Sequence, residues 1–336
     1  MYQYDDPTAV SALPTPAAAG TSGYFTDGNP AQAEAATVLR SDFMNMLMLE
    51  LLNVVEAAGI SPSKTAYNQV LLAIKSLTSS YAAGSYSVRK MVAANNGATP
   101  NTQFDTSCDL VVVRNPTTGA CAAISNPGVI TNNILTAGPV ANGRDVAGAF
   151  AASTWLHFYY VWNGTTLATI SSASAPPTGP ALPNGYTSWA YIGAVYLNAS
   201  SQLMLVRQRG SWIMYADQQA VITGGSSTSV AAITTATLTP PNAVQFELSV
   251  PNLSINATAA GPAGLTLIIQ VESSHSPFQM GIQGSGAASA TWGTSGASKR
   301  FPAITQGFNY QIAILAGSGQ SVTIDVTGYS VPNGGE

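Results

Sequence analysis

Charge is what this chain has least of. Asp, Glu, Lys and Arg together make up 8% of its 336 residues, against roughly 25% in an average soluble domain. Ser, Thr, Asn, Gln, Gly and Ala take their place. Few charges leave little to hold free surfaces apart, so the composition suits a subunit of a large assembly better than a dispersed monomer. Positive charge is the scarcer kind, 11 Lys and Arg against 15 Asp and Glu, for a net charge of −4. Phosphate backbones are held by clustered Lys and Arg, which argues against nucleic acid as a partner. The basic groups that do cluster, Arg89-Lys90, Arg207-Gln208-Arg209 and Lys299-Arg300, read as solvated strand ends.

Cysteine, histidine and long apolar runs are scarce too. Cys108 and Cys121 are too few for a disulfide framework, although they lie a hairpin's length apart and so within reach across two strands. His157 and His275 stand alone, each read as a structural or surface histidine. With no His-x-x-x-His and no Cys/His cluster, neither a metal nor a cofactor is expected. Walker, Gly-x-Gly-x-x-Gly and Gly-x-Ser-x-Gly patterns are absent. Asn45, Glu50, Asn53 and Glu56 interrupt the best apolar run, so no membrane insertion is expected. The first residues, Met1 to Asp6, are acidic and lack an apolar core, so no signal peptide is expected either.

What is present is concentrated between Thr21 and Leu77. Ser41 to Gly59 reads as a helix: Ser41 is the expected N-cap, Asp42 suits the positive end of the dipole, and Gly59 supplies a left-handed stop. Phe43, Leu47, Leu51, Val54 and Ala58 fall on one face, and Met44, Met48, Leu52 and Val55 on the next. Met46 and Leu49 lie beyond them. A surface helix shows a stripe a little over 100° wide, and one that is apolar nearly all round must be buried. The shorter helix that follows, with Tyr67, Val70, Leu71, Ile74 and Leu77 at helical spacing, covers one side only. Another chain is needed for the rest. Phe43, Met44, Leu47, Met48, Leu51, Leu52, Val55, Leu71 and Ile74 are therefore the candidate oligomerisation and docking residues.

The same stretch carries the run Gly23-Tyr24-Phe25-Thr26-Asp27-Gly28-Asn29-Pro30, then Glu50-Leu51-Leu52-Asn53-Val54-Val55, then Ala57-Ala58-Gly59-Ile60-Ser61-Pro62-Ser63-Lys64-Thr65. This ordered series resembles the N-terminal attachment segment of tail fibre proteins of tailed bacteriophages. The resemblance implies a homotrimeric, non-enzymatic component of the virion tail, assembled in the host cytoplasm, whose partners are itself and other tail proteins. A reducing cytosol in turn implies two free thiols at Cys108 and Cys121. Residues 155–210 resemble, more weakly, a β domain that recurs in phage fibres, through Trp155 to Gly164, Pro183 to Val195 and Leu203 to Gly210.

Around the helices, residues 1–20 are rich in Pro and Ala and read as an extended arm, ordered only against another subunit or the tail. Residues 21–82 make the helical attachment module, with a linker from about Thr78 to Ser87. From Tyr86 the apolar period changes to two, in runs at Ser87–Val92, Gln103–Val113, Trp155–Trp162, Tyr191–Leu197, Gln202–Gln208, Ile213–Ala216, Val244–Val250, Leu265–Glu272, Phe308–Leu315 and Val322–Val331. Asn163-Gly164 is the strongest hairpin signal, and Gly284-Ser285-Gly286 and Gly317-Ser318-Gly319 read as further turns. The expected fold is mainly β with an N-terminal α-helical segment: a helical trimerisation module and then two antiparallel, jelly-roll-like β-sandwich domains, 83–222 and 223–336.

Aromatic residues gather in the first of these. Phe158, Tyr160 and Trp162 share one strand face, and Tyr159 and Val161 the other, so one set alone can form a sugar platform. Tyr186, Trp189 and Trp212 are the candidate contacts to a host surface polysaccharide or outer-membrane receptor, the first two near a Pro-rich loop. The rivals are a purely structural tail component that carries another fibre, and a capsule or O-antigen depolymerase. Against the last, the carboxylates Asp105, Asp109, Asp145, Asp217, Glu247, Glu272, Asp325 and Glu336 show no evident catalytic pair.

Overall fold

The computed structural model describes residues 2–82, 88–272 and 277–333. Tyr86, Ser87, His275 and Glu336 lie outside them. The chain divides into two compact units, Met1–Ala82 and Ala83–Glu336. The first holds a 3-10 turn at Pro30–Gln32 and two helices, α1 (Ser41–Ala57) and α2 (Gln69–Ala82). Residues 78–82, expected in a linker, thus belong to α2. No helix of the described residues is long and apolar enough to cross a membrane.

The second unit is built of strands. In chain order they begin β1 (Val88–Arg89), β2 (Val92–Asn95), β3 (Gln103–Ser107), β4 (Leu110–Arg114), β5 (Cys121–Ser125), β6 (Ile130–Asn133) and β7 (Gly143–Arg144). Next come β8 (Thr154–Trp162), β9 (Leu167–Ser172), β10 (Ser188–Leu197), β11 (Val206–Arg209), β12 (Trp212–Gly225) and β13 (Ala231–Thr234). The last are β14 (Gln245–Asn256), β15 (Gly261–Gln270), β16 (Phe278–Gly286), β17 (Thr291–Thr294), β18 (Ala297–Pro302), β19 (Gly307–Ala316) and β20 (Ser318–Ser330).

They form three sheets, so the chain is mainly β with its helices at the N-terminus. The first has the order β1-β4-β10-β8-β9-β7, with β5 on β4. Its pairings are antiparallel except β7 with β9. The second runs β17-β14-β20-β12-β11-β2-β3-β6, with β18 also on β14, and the third β13-β19-β15-β16. The first sheet lies on the second through rings, Phe104 on Phe158 at 4.6 Å and Trp155 on Tyr329 at 5.5 Å between centroids. The Tyr329 hydroxyl also donates to the Ala194 carbonyl at 2.8 Å. Further along, Phe278 of the third sheet meets Phe301 of the second at 6.3 Å. Two sandwiches therefore share the middle sheet and one continuous core.

This corrects the boundary expected near residue 222. Ile222 lies inside β12, opposite Ile324 of β20, and the blocks on either side of it contribute to one sheet. The run Gln103–Val113 is also two strands and not one. The chain breaks at Cys108-Asp109, sending β3 into the second sheet and β4 into the first. Lys90, at φ +50°, likewise divides the run Ser87–Val92. The Asn163 hairpin forms between β8 and β9 as a loop whose Asn163 side chain accepts from the amides of Thr165 and Thr166 at 3.0 and 2.7 Å. Gly284-Ser285-Gly286, expected to be a turn, lies within β16. The Trp292 ring covers Gly284 so closely that a Cβ there would sit 2.2 Å from it.

Candidate functional site

In the helical unit, helix α1 begins one residue earlier than its sequence suggests. Ser41 is the first helical residue and Arg40 precedes it without a side-chain cap, so the expected Ser41 cap is not made. Asp42 takes part instead: its carboxylate accepts from the Phe43 amide at 2.9 Å and from Ala17 of the arm at 3.2 Å. At the other end Gly59 has φ +71°. Its amide donates to the Glu56 carbonyl at 2.8 Å and that of Ile60 to Val55 at 3.2 Å, the paired bonds of a Schellman stop. Ahead of α1, Asn29 and Glu34 exchange backbone bonds. Gly28, at φ +75°, lies so close beneath that a Cβ would meet the Ala36 nitrogen at 2.5 Å. This is the physical reason for glycine in the Asp27-Gly28-Asn29-Pro30 motif.

Which side of each helix the chain hides is decided by small and polar residues. Helix α2 packs on α1, and among the described residues the buried ones of the pair are Leu52, Val55, Gln69 and Ala73. The Gln69 amide group donates to the Ser61 carbonyl at 2.8 Å and accepts from the Ser63 amide at 3.0 Å, tying the interhelical loop to α2. The larger apolar side chains point elsewhere. Phe43, Met44, Met46, Leu47, Leu71, Leu72, Ile74 and Leu77 are all exposed, Met46 to 54% and Leu71 to 53%. Tyr67, expected on the apolar face of the second helix, precedes α2 and is 98% exposed. Leu52 and Val55 must therefore leave the candidate docking set, since they are used inside the chain. Met48 and Leu51 are half-buried, and the other five candidates stand open.

Residues 2–17 lie against this unit's own helices, contrary to the expectation that they order only against another subunit. The Tyr4 amide donates to the Met48 sulfur at 3.3 Å, and Lys64 bridges to Asp5 at 2.7 Å. Tyr2 and Tyr4 of the arm and Ser41, Met44, Asn45 and Met48 of α1 line a largely apolar groove of about 470 Å³. Phe25 meets the ring of Phe43 edge-on at 5.3 Å. The arm shields part of α1 and adds exposed apolar groups of its own at Tyr4, Val10 and Leu13.

In the β-rich unit the aromatic platform does not materialise. Trp155 to Val161 are buried on both faces of β8, so neither alternate set is open to a sugar. Tyr186 and Trp189 are half-buried and pack on the core, with Trp189 edge-on to Tyr159 at 5.3 Å and close beneath Gly179. Trp212 lies apart from them on the middle sheet, with the Arg300 guanidinium 4.0 Å from its ring centroid. Arg300 also bridges to Glu247 at 2.9 Å, and Lys299 lies over Phe278 and Phe301. Lys299-Arg300 is thus a strand segment stacked on aromatic rings and not a solvated end.

His157 is the hydrogen-bonded structural histidine expected, its Nδ1 3.0 Å from the Tyr191 hydroxyl. Burial lowers its pKa to about 4. Burial likewise raises the hydroxyls of Tyr159, Tyr160, Tyr215 and Tyr329 above the usual phenol range. Cys108 and Cys121 are free thiols, and burial pushes that of Cys108 up. Among the described residues no group of His, Cys, Asp and Glu could hold a metal ion. Asp105 accepts from Asn96 and Thr131 while Asp109 pairs with Lys90, so these two carboxylates serve different neighbours.

The fold and its surfaces define a β-rich chain with a small, poorly covered helical unit ahead of it. No protein-family model matches the chain. A segment of 59 residues, 18% of the chain, is 46% identical to "Uncharacterized protein StfP" of Escherichia coli (strain K12), and spans 28% of that protein's length. Among solved structures the chain aligns with the "Structure of infectious bursal disease virus Gx strain" at 12% identity and a TM-score of 0.19, over 71% of this chain and 68% of that one.

Proposed function

We propose that this protein is a subunit of a bacteriophage tail fibre or fibre adaptor. It works as a homotrimer that docks on the tail through its helical unit and attaches to the host surface through its β sheets. One observation carries the reading: Phe43, Met44, Leu47, Leu71 and Ile74 stay open to solvent after the chain has folded its own two helices together. Large apolar side chains left exposed in such number mark interaction surfaces. The low charge of the chain and the phage-fibre motifs between Thr21 and Thr65 support the same reading. Its mechanism is adhesive. Modest contacts repeated over three chains and several fibres give avidity without a tight single site, and the protein acts in the virion without catalysing a reaction.

The test places charge on the open face. Leu47→Asp combined with Leu71→Asp converts a trimer to single chains in light scattering, while the far-ultraviolet circular dichroism of the β-rich unit stays as it is. A trimer that survives both substitutions contradicts the reading.

A further inference from the structure

The run Arg207-Gln208-Arg209, which from the sequence looks like the end of a strand, lies well inside the middle sheet. Strand β11 is held between β2 and β12, with Arg207 opposite Ala94 and Met214, and Arg209 opposite Val92 and Trp212. Val206 and Gln208 face inward, where the Gln208 amide group donates to the Ile192 carbonyl of the first sheet at 2.7 Å. Arg207 and Arg209 consequently share the outward face, roughly 7 Å apart at their backbones. Among the described residues neither has an ion pair within 4.0 Å. The acids nearby are engaged. Asp105, in the same cross-strand row, is held by Asn96 at 2.9 Å and Thr131 at 2.7 Å, and Glu247 is held by Arg300.

Beside the two arginines runs a groove of about 290 Å³ along β2 and β11, with Ala94, Asn96, Gly97, Pro100 and Leu205 among its walls. Trp212, stacked with Arg300, stands at the Arg209 end. In a chain with so few cations, two uncommitted guanidinium groups beside an open groove of small side chains form an anion-binding surface. The planar fork of arginine matches a carboxylate by two parallel hydrogen bonds. Two cations in a chain of net charge −4 are a poor match for the phosphate density of a nucleic acid, whereas a polysaccharide with spaced acidic groups fits a narrow, weakly charged groove.

We propose that this face binds an acidic polysaccharide, with Arg207 and Arg209 taking its carboxylates and the β2–β11 groove receiving the sugar backbone. The proposal rests on the attachment reading for its biological setting and gives the receptor a chemical class. It is tested on the full chain by retention on immobilised polygalacturonate, with neutral dextran as the control. The expected result is salt-sensitive retention on polygalacturonate and none on dextran. Each guanidinium removed weakens binding by about tenfold, so that Arg207→Ala with Arg209→Ala abolishes it. The double lysine variant keeps the charge without the fork and binds at an intermediate level.

Absence of retention overturns the proposal, as does retention unchanged in the alanine variant. Equal competition by polyglutamate or single-stranded DNA overturns it on the unaltered protein, whatever the folding of the variants. The mass of the same sample separates the two readings. A trimer that ignores polygalacturonate removes this site and leaves the fibre reading standing, and a single chain that binds it does the reverse.

Discussion

Phe104, Phe158, Tyr160 and Tyr329 of the β-rich unit are sealed between sheets, while Met46, Leu71 and Ile74 of the helical unit stand half in solvent. The two regions are comparably apolar in sequence. The difference lies in what each has to close against. The first sheet packs face to face on the second, and β8 is left with no exposed face, whereas two helices joined along Leu52, Val55 and Ala73 cover only each other's inner sides. Burial of apolar area is the main term that favours folding. The β-rich unit therefore encloses its apolar side chains by itself, and the helical unit leaves many of its own exposed.

The largest expected effect comes from attacking the closed side of that contrast. Phe158→Ala opens a cavity beside Phe104 of the facing sheet, and should cost about 3–5 kcal/mol of unfolding free energy. Chemical denaturation read by tryptophan fluorescence measures it, since all five tryptophans are at or beyond Trp155. A change within experimental error would mean that the sheets are not packed as described.

Acid should then act on the same unit. His157 is held neutral with a pKa of about 4 against an ordinary 6.5. The unfolded chain therefore binds the extra proton between those values, and stability falls as pH drops from 6.5 towards 4. The loss amounts to roughly 3 kcal/mol, and His157→Gln should flatten the pH dependence in that window. A smaller penalty is expected at Gly284→Ala. The new methyl must displace the Trp292 ring, and overpacking of this kind costs about 1–3 kcal/mol, read as a lowered denaturation midpoint.

Much of the contrast was legible before any coordinates. The switch from a helical to a strand period, the all-round apolar character of α1, and the Asn163 turn can each be read from neighbouring residues. Pairing between strands far apart in the chain cannot. β12 and β20 join Trp212 to Ser330, and no local pattern announces that a strand crossing residue 222 fuses two expected domains. The docking face was legible only in part. Where a helix is apolar all round, periodicity does not say which face its own chain will use. Gln69 and Ala73 decided that, and neither stands out as a core residue. Arg207 and Arg209 read as a solvated strand end because the neighbours that place β11 inside the sheet, β2 and β12, are not announced by the local pattern.

The smallest effect sharpens the comparison at the surface. Arg300→Ala removes a stack on Trp212 and an exposed bridge to Glu247. It should lower stability by only ~0.5–1 kcal/mol, with a shift in tryptophan emission that reports the uncovered ring. A loss of several kcal/mol would show that the outward face of the middle sheet carries more of the fold than its exposure suggests.

The central claim, that the helical unit is completed by sister copies, is tested most directly by the mass of the purified full-length protein at micromolar concentration. Sedimentation should give three times the 34.4 kDa of one chain. A particle that stays at the mass of one chain would contradict the account.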